Sequence, residues 1–180
     1  EMTEKYGADG VRVGMMLCSV AGGDLLYDDS LPEQGRNFSN KIWNAYRLLN
    51  SFEISNKVEQ PEHAAKALEW FGHKLQKDLK ALNKAFDDYR ISEALMILYR
   101  LFKDDFSSWL LETLKPDYKK PIDAETFAAA ENYLEQLLKL LHPFMPFVTE
   151  EIWQALRKPA KGESIMNKLM PEQTEYDEKL

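Results

Sequence analysis

The stretch SLPEQGRNFSNKIWNAYRLLNSF, residues 30–52, decides the fold. Ser30 is a suitable N-cap, Glu33 stands three residues on as in a capping box, and Pro32 falls in the first turn, where a missing N–H costs nothing. Stepping about 100° per residue gathers Phe38, Ile42, Ala45, Leu49 and Phe52 into an ordinary core stripe. The opposite side collects Arg36, Asn40, Asn44, Arg47 and Ser51, with Asn37 and Lys41 on its flank and Trp43 at the border. Cations and carboxamides dominate this face. Arg and Lys suit phosphate, Asn suits base edges, and an indole suits stacking. Periodicity alone favours a plainer reading, a solvated face beside a partly buried Trp.

C-terminal to this helix, residues 53–60 read as a polar loop, and Pro61 marks the next start. Leu68, Phe71, Leu75, Leu79, Leu82 and Phe86 then recur at three- and four-residue steps, the strongest periodic signal in the chain. Lys66, Glu69, Lys77, Lys80 and Lys84 form the solvated face of that helix. Asp87 or Asp88 is expected to end it and to cap the next, whose pattern is Ile91, Leu95, Leu98, Phe102, Phe106, Trp109, Leu110 and Leu114. Met96, Ile97 and Leu101 widen that stripe, as in a helix central to a bundle. Residues 117–122 form a loop, and Asp123 caps a helix through Phe127, Ala130, Leu134, Leu137, Leu138 and Leu141. Pro143 and Pro146 make an apolar elbow, after which Thr149 starts a last helix with Ile152, Trp153 and Leu156 inward. Ser164-Ile165-Met166 reads as a short strand, and the charged tail from Glu172 as partly disordered.

N-terminal to it, residues 1–29 hold five of the eight glycines and read as a short mixed connector. Asp9 is placed to cap a helix through Val11, Met15 and Cys18, which Gly22-Gly23 breaks; a brief extended segment follows at residues 24–28. The chain starts at Glu1, not Met, and is expected to be a piece of a longer one. The fold class is therefore all-α: an antiparallel bundle of about five helices, a connector at the N-terminus and a short strand near the C-terminus. The expected division is a connector at 1–29, a bundle at 30–158 and a C-terminal extension at 159–180.

Composition bounds the function. At 44% hydrophobic and 12% aromatic, 180 residues can build a real core. No apolar run approaches the roughly 20 residues that span a bilayer, and no signal peptide is visible. The lone Cys18 excludes an internal disulfide, fits a reducing compartment and reads as a small buried hydrophobe. A net charge of −7 counts against a polyanionic partner unless a local basic patch meets it. The carboxylates do concentrate elsewhere: Asp87 and Asp88, Asp104 and Asp105, Glu150 and Glu151, and the tail.

Catalytic chemistry is not found. His63, His73 and His142 lack His or Cys partners at metal-ligand spacing, so structural roles are expected, with His142 bonding a carbonyl at a helix end. The neighbours Asp104 and Asp105 point in different directions on a helix and make no acid/base dyad. Gly22-Gly23 lacks the spacing of a phosphate-cradling loop. No catalytic residue, metal site or cofactor is assigned to this chain.

Four strings carry a resemblance. Tyr6-Gly7-Ala8-Asp9-Gly10-Val11-Arg12 is similar to the segment that follows the signature lysine loop of class I aminoacyl-tRNA synthetases. Gly35-Arg36-Asn37-Phe38-Ser39-Asn40-Lys41-Ile42-Trp43-Asn44-Ala45 resembles the first helix of the anticodon-binding domain of the valyl-tRNA synthetases. Ile91-Ser92-Glu93-Ala94-Leu95, with the segment from Asp105 to Glu112, resembles its central helix, and the run from His142 to Trp153 its closing elbow. The resemblance covers nearly the whole chain in order. The isoleucyl and leucyl enzymes share the fold, but their first bundle helix reads differently.

The resemblance implies a cytoplasmic, ATP-dependent ligase that charges tRNA-Val with valine, of which this piece is the tRNA-reading helical domain behind a stem-contact connector. It implies that ATP belongs to a catalytic domain whose HIGH and KMSKS strings do not occur here. The partners implied are the anticodon stem-loop of tRNA-Val and the other domains of the same synthetase, with no membrane. The tRNA-binding candidates carried over are Arg36, Asn40, Lys41, Asn44 and Arg47, with Trp43 either stacking on a base or packing against a neighbouring helix. Ser164-Ile165-Met166 matches a strand after the bundle, but Asn167-Lys168-Leu169-Met170 departs from the family's apolar, Trp-containing continuation. Two alternatives stand beside this reading: an acidic helical module for protein–protein contacts, or the equivalent domain of an isoleucyl- or leucyl-type enzyme.

Overall fold

The computed structural model of the chain describes residues 1–18, 28 and 30–177. The expected break at Gly22-Gly23 and, except for Asp28, the extended segment at 24–28 lie outside the described residues. Two helices, α1 (Met2–Tyr6) and α2 (Ala8–Cys18), precede the long α3 (Ser30–Asn50). Then come β1 (Ile54–Ser55), α4 (Glu62–Asp87), and a single rod made of α5 (Ile91–Arg100), a π-helical stretch (Leu101–Leu110) and α6 (Leu111–Leu114). β2 (Ile122–Asp123), α7 (Ala124–Leu141), α8 (Pro146–Arg157) and one 3-10 turn (Ile165–Asn167) complete it.

The five expected rods meet in one core, and Phe38, Phe71, Phe102, Phe106 and Phe144 are its largest fully buried side chains. Phe102 lies edge-on to Phe38 at 5.8 Å and 5.4 Å from Phe106, which lies 5.6 Å from Phe71. Three expected core residues, Phe86, Ile91 and Trp109, remain substantially exposed. Phe86 stacks on Phe144, and Trp109 packs on Trp70 with ring centroids 4.3 Å apart.

The π winding answers the sequence directly. In a strict α-helix Leu101 and Leu110, nine residues apart, would point to opposite sides. Closing the bonds five residues back turns the chain less per residue and brings both into the core. Leu111 N–H donates to the Phe106 carbonyl, and Ser108 Oγ donates to the Lys103 carbonyl at 2.7 Å.

Several boundaries move. Ser30 lies inside α3, because the Asp28 carboxylate accepts the Ser30 N–H at 2.8 Å and the Asp28 carbonyl accepts Leu31 N–H. Glu33 closes no capping box and pairs with Arg36 instead. Neither Asp87 nor Asp88 caps α5, whose N-cap is Arg90 with no side-chain bond. α4 does end at Asp87 with Asp88 as its C-cap, and it closes in a Schellman motif: Arg90 N–H reaches the Ala85 carbonyl, Tyr89 N–H the Phe86 carbonyl, and Tyr89 adopts φ 57°. Asp123 caps α7 as expected, accepting Thr126 N–H at 2.8 Å. The last helix starts at Pro146, three residues before Thr149, because Pro is suited to a first helical position.

The loops at 53–60 and 117–122 are tied together by β1 and β2, which pair in parallel through Ile54 with Ile122 and Ser55 with Asp123. These are the short strands among the described residues; Ser164-Ile165-Met166 forms no strand but leads into the 3-10 turn, with Ser164 Oγ accepting Met166 N–H. The tail runs along α4, where Gln76 Oε1 accepts Thr174 N–H and His73 Nδ1 accepts Asp177 N–H.

Helix α2 packs closely along α3. A Cβ on Gly14 would stand 2.6 Å from Pro32 N, and one on Gly35 would overlap the Gly10 carbonyl, so the two backbones touch where those side chains are missing. Asp9, 6% exposed, does not cap its own helix. Its carboxylate accepts Phe147 N–H at 3.3 Å and Val148 N–H at 2.7 Å, capping α8 from across the molecule. One turn on, Arg12 donates to the Phe144 and Pro143 carbonyls. The two side chains together hold the elbow. Burial raises the Asp9 carboxyl above its usual value in spite of these bonds. The His142 imidazole bonds no carbonyl among the described residues: its Nδ1 lies 2.8 Å from Thr149 Oγ1, which donates its own proton to the Met145 carbonyl. The Thr149 oxygen is thereby left as acceptor, and the proton of the imidazole sits on Nδ1.

Candidate nucleic-acid interface

The polar face of α3 lies between two recesses. The first, about 480 Å³, runs between α3, the junction of α1 and α2, and the start of α8. Arg36, Ser39, Asn40 and Trp43 form its α3 wall; Lys5, Tyr6 and residues 7–10 form its floor; Phe147, Val148 and Glu151 form the far side. Trp43 is 36% exposed at the rim, its ring 5.8 Å from that of Tyr46, so it neither joins the core nor stands free. Phe147 is 63% exposed and presents a second aromatic face.

Arg36 is half-buried and engaged. It donates to Glu33 at 3.3 Å and to the Lys5 carbonyl at 3.5 Å, and its guanidinium lies 5.9 Å from the Tyr6 ring centre. It therefore holds α1 onto α3 while keeping part of its fork in the cleft. Asn40 borders both recesses.

On the other flank, Lys41 donates from Nζ to Ser108 Oγ at 3.2 Å. Exposed Asn44 lines the recess there with Asn37, Leu48, Ser107 and Glu112. Arg47, further along α3, is exposed, lines neither recess, and has no ion pair or hydrogen bond among the described residues. Arg36, Asn40 and Trp43 are thus brought together on one side, Asn40, Lys41 and Asn44 on the other, and Arg47 stands apart. Among the described residues no group of three or more His, Cys, Asp or Glu is placed to hold a metal ion, and no helix is long and apolar enough to cross a membrane.

Sequence reasoning missed Lys5 and Phe147. In the sequence Phe147 belongs to the apolar elbow between His142 and Val148. Counting the helix from Pro146 places it about 140° from the inward Ile152, which is the signal that would have found it. Lys5 had no signal, because the helix that carries it is one turn long.

Residues 69–180 match a family model described as the anticodon-binding domain of tRNA ligase. The chain is 52% identical over 176 residues to a valine–tRNA ligase of Porphyromonas gingivalis, covering 98% of this chain and 20% of that protein. It is 50% identical over 177 residues to the valine–tRNA ligase of Christiangramia forsetii, with 98% and 20% covered, and 36% identical over 173 residues to that of Pseudothermotoga lettingae, with 96% and 20% covered. The chain spans about a fifth of the length of these relatives. A solved structure, the ternary complex of Agrobacterium radiobacter K84 LeuRS with tRNA and LeuAMS, shares the fold with TM-score 0.63 at 19% identity, over 96% of this chain and 20% of that one.

Proposed function

The chain belongs to the anticodon-binding domain family of tRNA ligases, and we propose that it is the tRNA-reading module of a valine–tRNA ligase. The whole enzyme would work in the cytoplasm, charging tRNA-Val with valine at the expense of ATP bound in another domain. In this reading residues 1–29 connect the module to the rest of the synthetase, 30–158 receive the anticodon stem-loop, and 159–180 extend it.

One observation supports the reading: on a chain of net charge −7, the exposed side of α3 offers Arg36, Asn40, Lys41, Asn44 and Arg47, and the helix's single carboxylate, Glu33, is already paired to Arg36. Asn40 and Asn44, one turn apart, present amides to base edges. Arg36, Lys41 and Arg47 meet phosphates or bases, and Trp43 gives a base a surface to stack on. The acidic-scaffold alternative offers no account of this segregation.

The test is binding of a tRNA-Val anticodon stem-loop across a salt series. Affinity should fall as salt rises, because binding releases cations condensed on the phosphates and that release gains less as bulk salt increases. Asn44→Ala should lower discrimination between cognate and altered anticodons and leave the melting temperature unchanged, since Asn44 is exposed. Phe38→Ala or Ile42→Ala should instead cost about 2–5 kcal/mol of stability as core truncations. No binding even at low salt would return the chain to the scaffold reading.

A further inference from the structure

Between α3 and the rod of α5, the π-helical stretch and α6 runs a trough made of two joined recesses, about 410 and 320 Å³, which share Asn37 and Lys41. Its far wall comes from Tyr99, Lys103, Ser107 and Glu112. The carboxylates at its two ends are occupied: Glu33 pairs with Arg36 at 3.3 Å and Glu112 with Lys115 at 3.2 Å. The cations within it are not. Neither Lys41 nor Lys103 has a carboxylate within ion-pair distance among the described residues; Lys41 rests on the Ser108 hydroxyl, and the Lys103 ammonium lies 5.3 Å from the centre of the Tyr99 ring. The π winding sets this up. It turns Ser108 back onto the Lys103 carbonyl, which leaves the Ser108 oxygen free to accept from Lys41 across the trough.

Two ammonium groups without counter-charges, flanked by hydroxyls and carboxamides that both donate and accept, match a chain of phosphates and ribose hydroxyls. We infer that this trough carries a run of RNA phosphodiester backbone, with Lys41 and Lys103 as its phosphate contacts. This rests on the proposed tRNA-reading role of α3 and adds residues to it: Lys103, Ser107 and Ser108 make the central rod part of the interface.

The experiment follows the 180-residue chain with a labelled anticodon stem-loop across salt, comparing wild type, Lys103→Gln, Lys103→Arg, and Lys77→Gln on the outer face of α4. A phosphate contact contributes about 0.7–0.9 to the slope of log affinity against log salt. Lys103→Gln should reduce that slope by about one and weaken binding several-fold, equally for cognate and anticodon-altered stem-loops. Lys103→Arg should restore both, and Lys77→Gln should change neither. A wild-type slope and affinity in Lys103→Gln overturns the inference while leaving the α3 reading intact. So does a loss of anticodon discrimination at constant slope, which would make Lys103 a base reader. Polyglutamate competing as well as the stem-loop overturns it in favour of an acidic protein partner. A wild type that binds no stem-loop at low salt overturns the inference together with the reading beneath it.

Discussion

Tyr89 shows how one residue can oppose its own position. It closes α4 in the left-handed region at φ 57°, where a Cβ crowds the backbone and glycine does not. Its ring is 83% exposed, so little burial is lost on removing it. Tyr89→Gly should therefore raise stability by about 1 kcal/mol, read as a higher urea midpoint at unchanged m-value. Lys74 is a contrasting case. It sits between Asp78 and Asp105, with Asp105 at 3.1 Å, and joins α4 to the π-helical stretch. Burial pushes the Asp78 carboxyl up, and on the lysine the two carboxylates outweigh burial and raise its pKa. The adjacent Asp104 is exposed, so the two neighbouring aspartates do face different ways.

At the scale of elements, Glu150 on α8 anchors the segment that follows it. Burial opposes its ionisation, but bonds from Gln154, Ser164 and the Ile165 N–H outweigh burial and hold its carboxyl below the usual value. A depressed carboxyl contributes stability that is present above its unfolded value of 4.5 and lost as pH falls through the folded one. Protection of the Ile165 amide from exchange, corrected for intrinsic rate, should thus decline as pH falls below 4.5. Glu150→Gln should lower it where the wild-type carboxyl is ionised and remove the pH dependence. The rods themselves were legible because Leu68, Phe71, Leu75, Leu79 and Leu82 repeat with the helical period and are all buried. What failed was everything shorter than that period. Ile54 and Ser55 make a strand of two residues, Met2–Tyr6 a helix of one turn, and neither length carries a pattern. The π winding was hidden for a related reason: Phe102, Phe106 and Leu110 also fit an α-helix, and only the joint burial of Leu101 and Leu110 separates the two.

For the whole molecule, the glycines of α2 and α3 matter more than their number suggests. Gly35→Ala would set a methyl against the Gly10 backbone, which has no side chain to swing aside. We expect a cost of about 2–3 kcal/mol despite the better helix propensity of Ala, measured by denaturant unfolding. The candidate site was legible to the extent that it lies on one face of one helix: Arg36, Asn40, Trp43 and Asn44 all follow from counting along α3. Its other walls were not, because Lys5, Phe147 and Lys103 come from three further elements that only tertiary packing brings alongside. The same packing gives the chain a particular order of assembly. Asp9 waits 139 positions for Val148, so the cap of α8 leaves the ribosome well before the helix it fastens. Closure across nearly the whole chain makes α8 a late arrival in folding. A chain cut anywhere between residues 12 and 143 leaves one piece with the fastener and the other with the helix end it fastens.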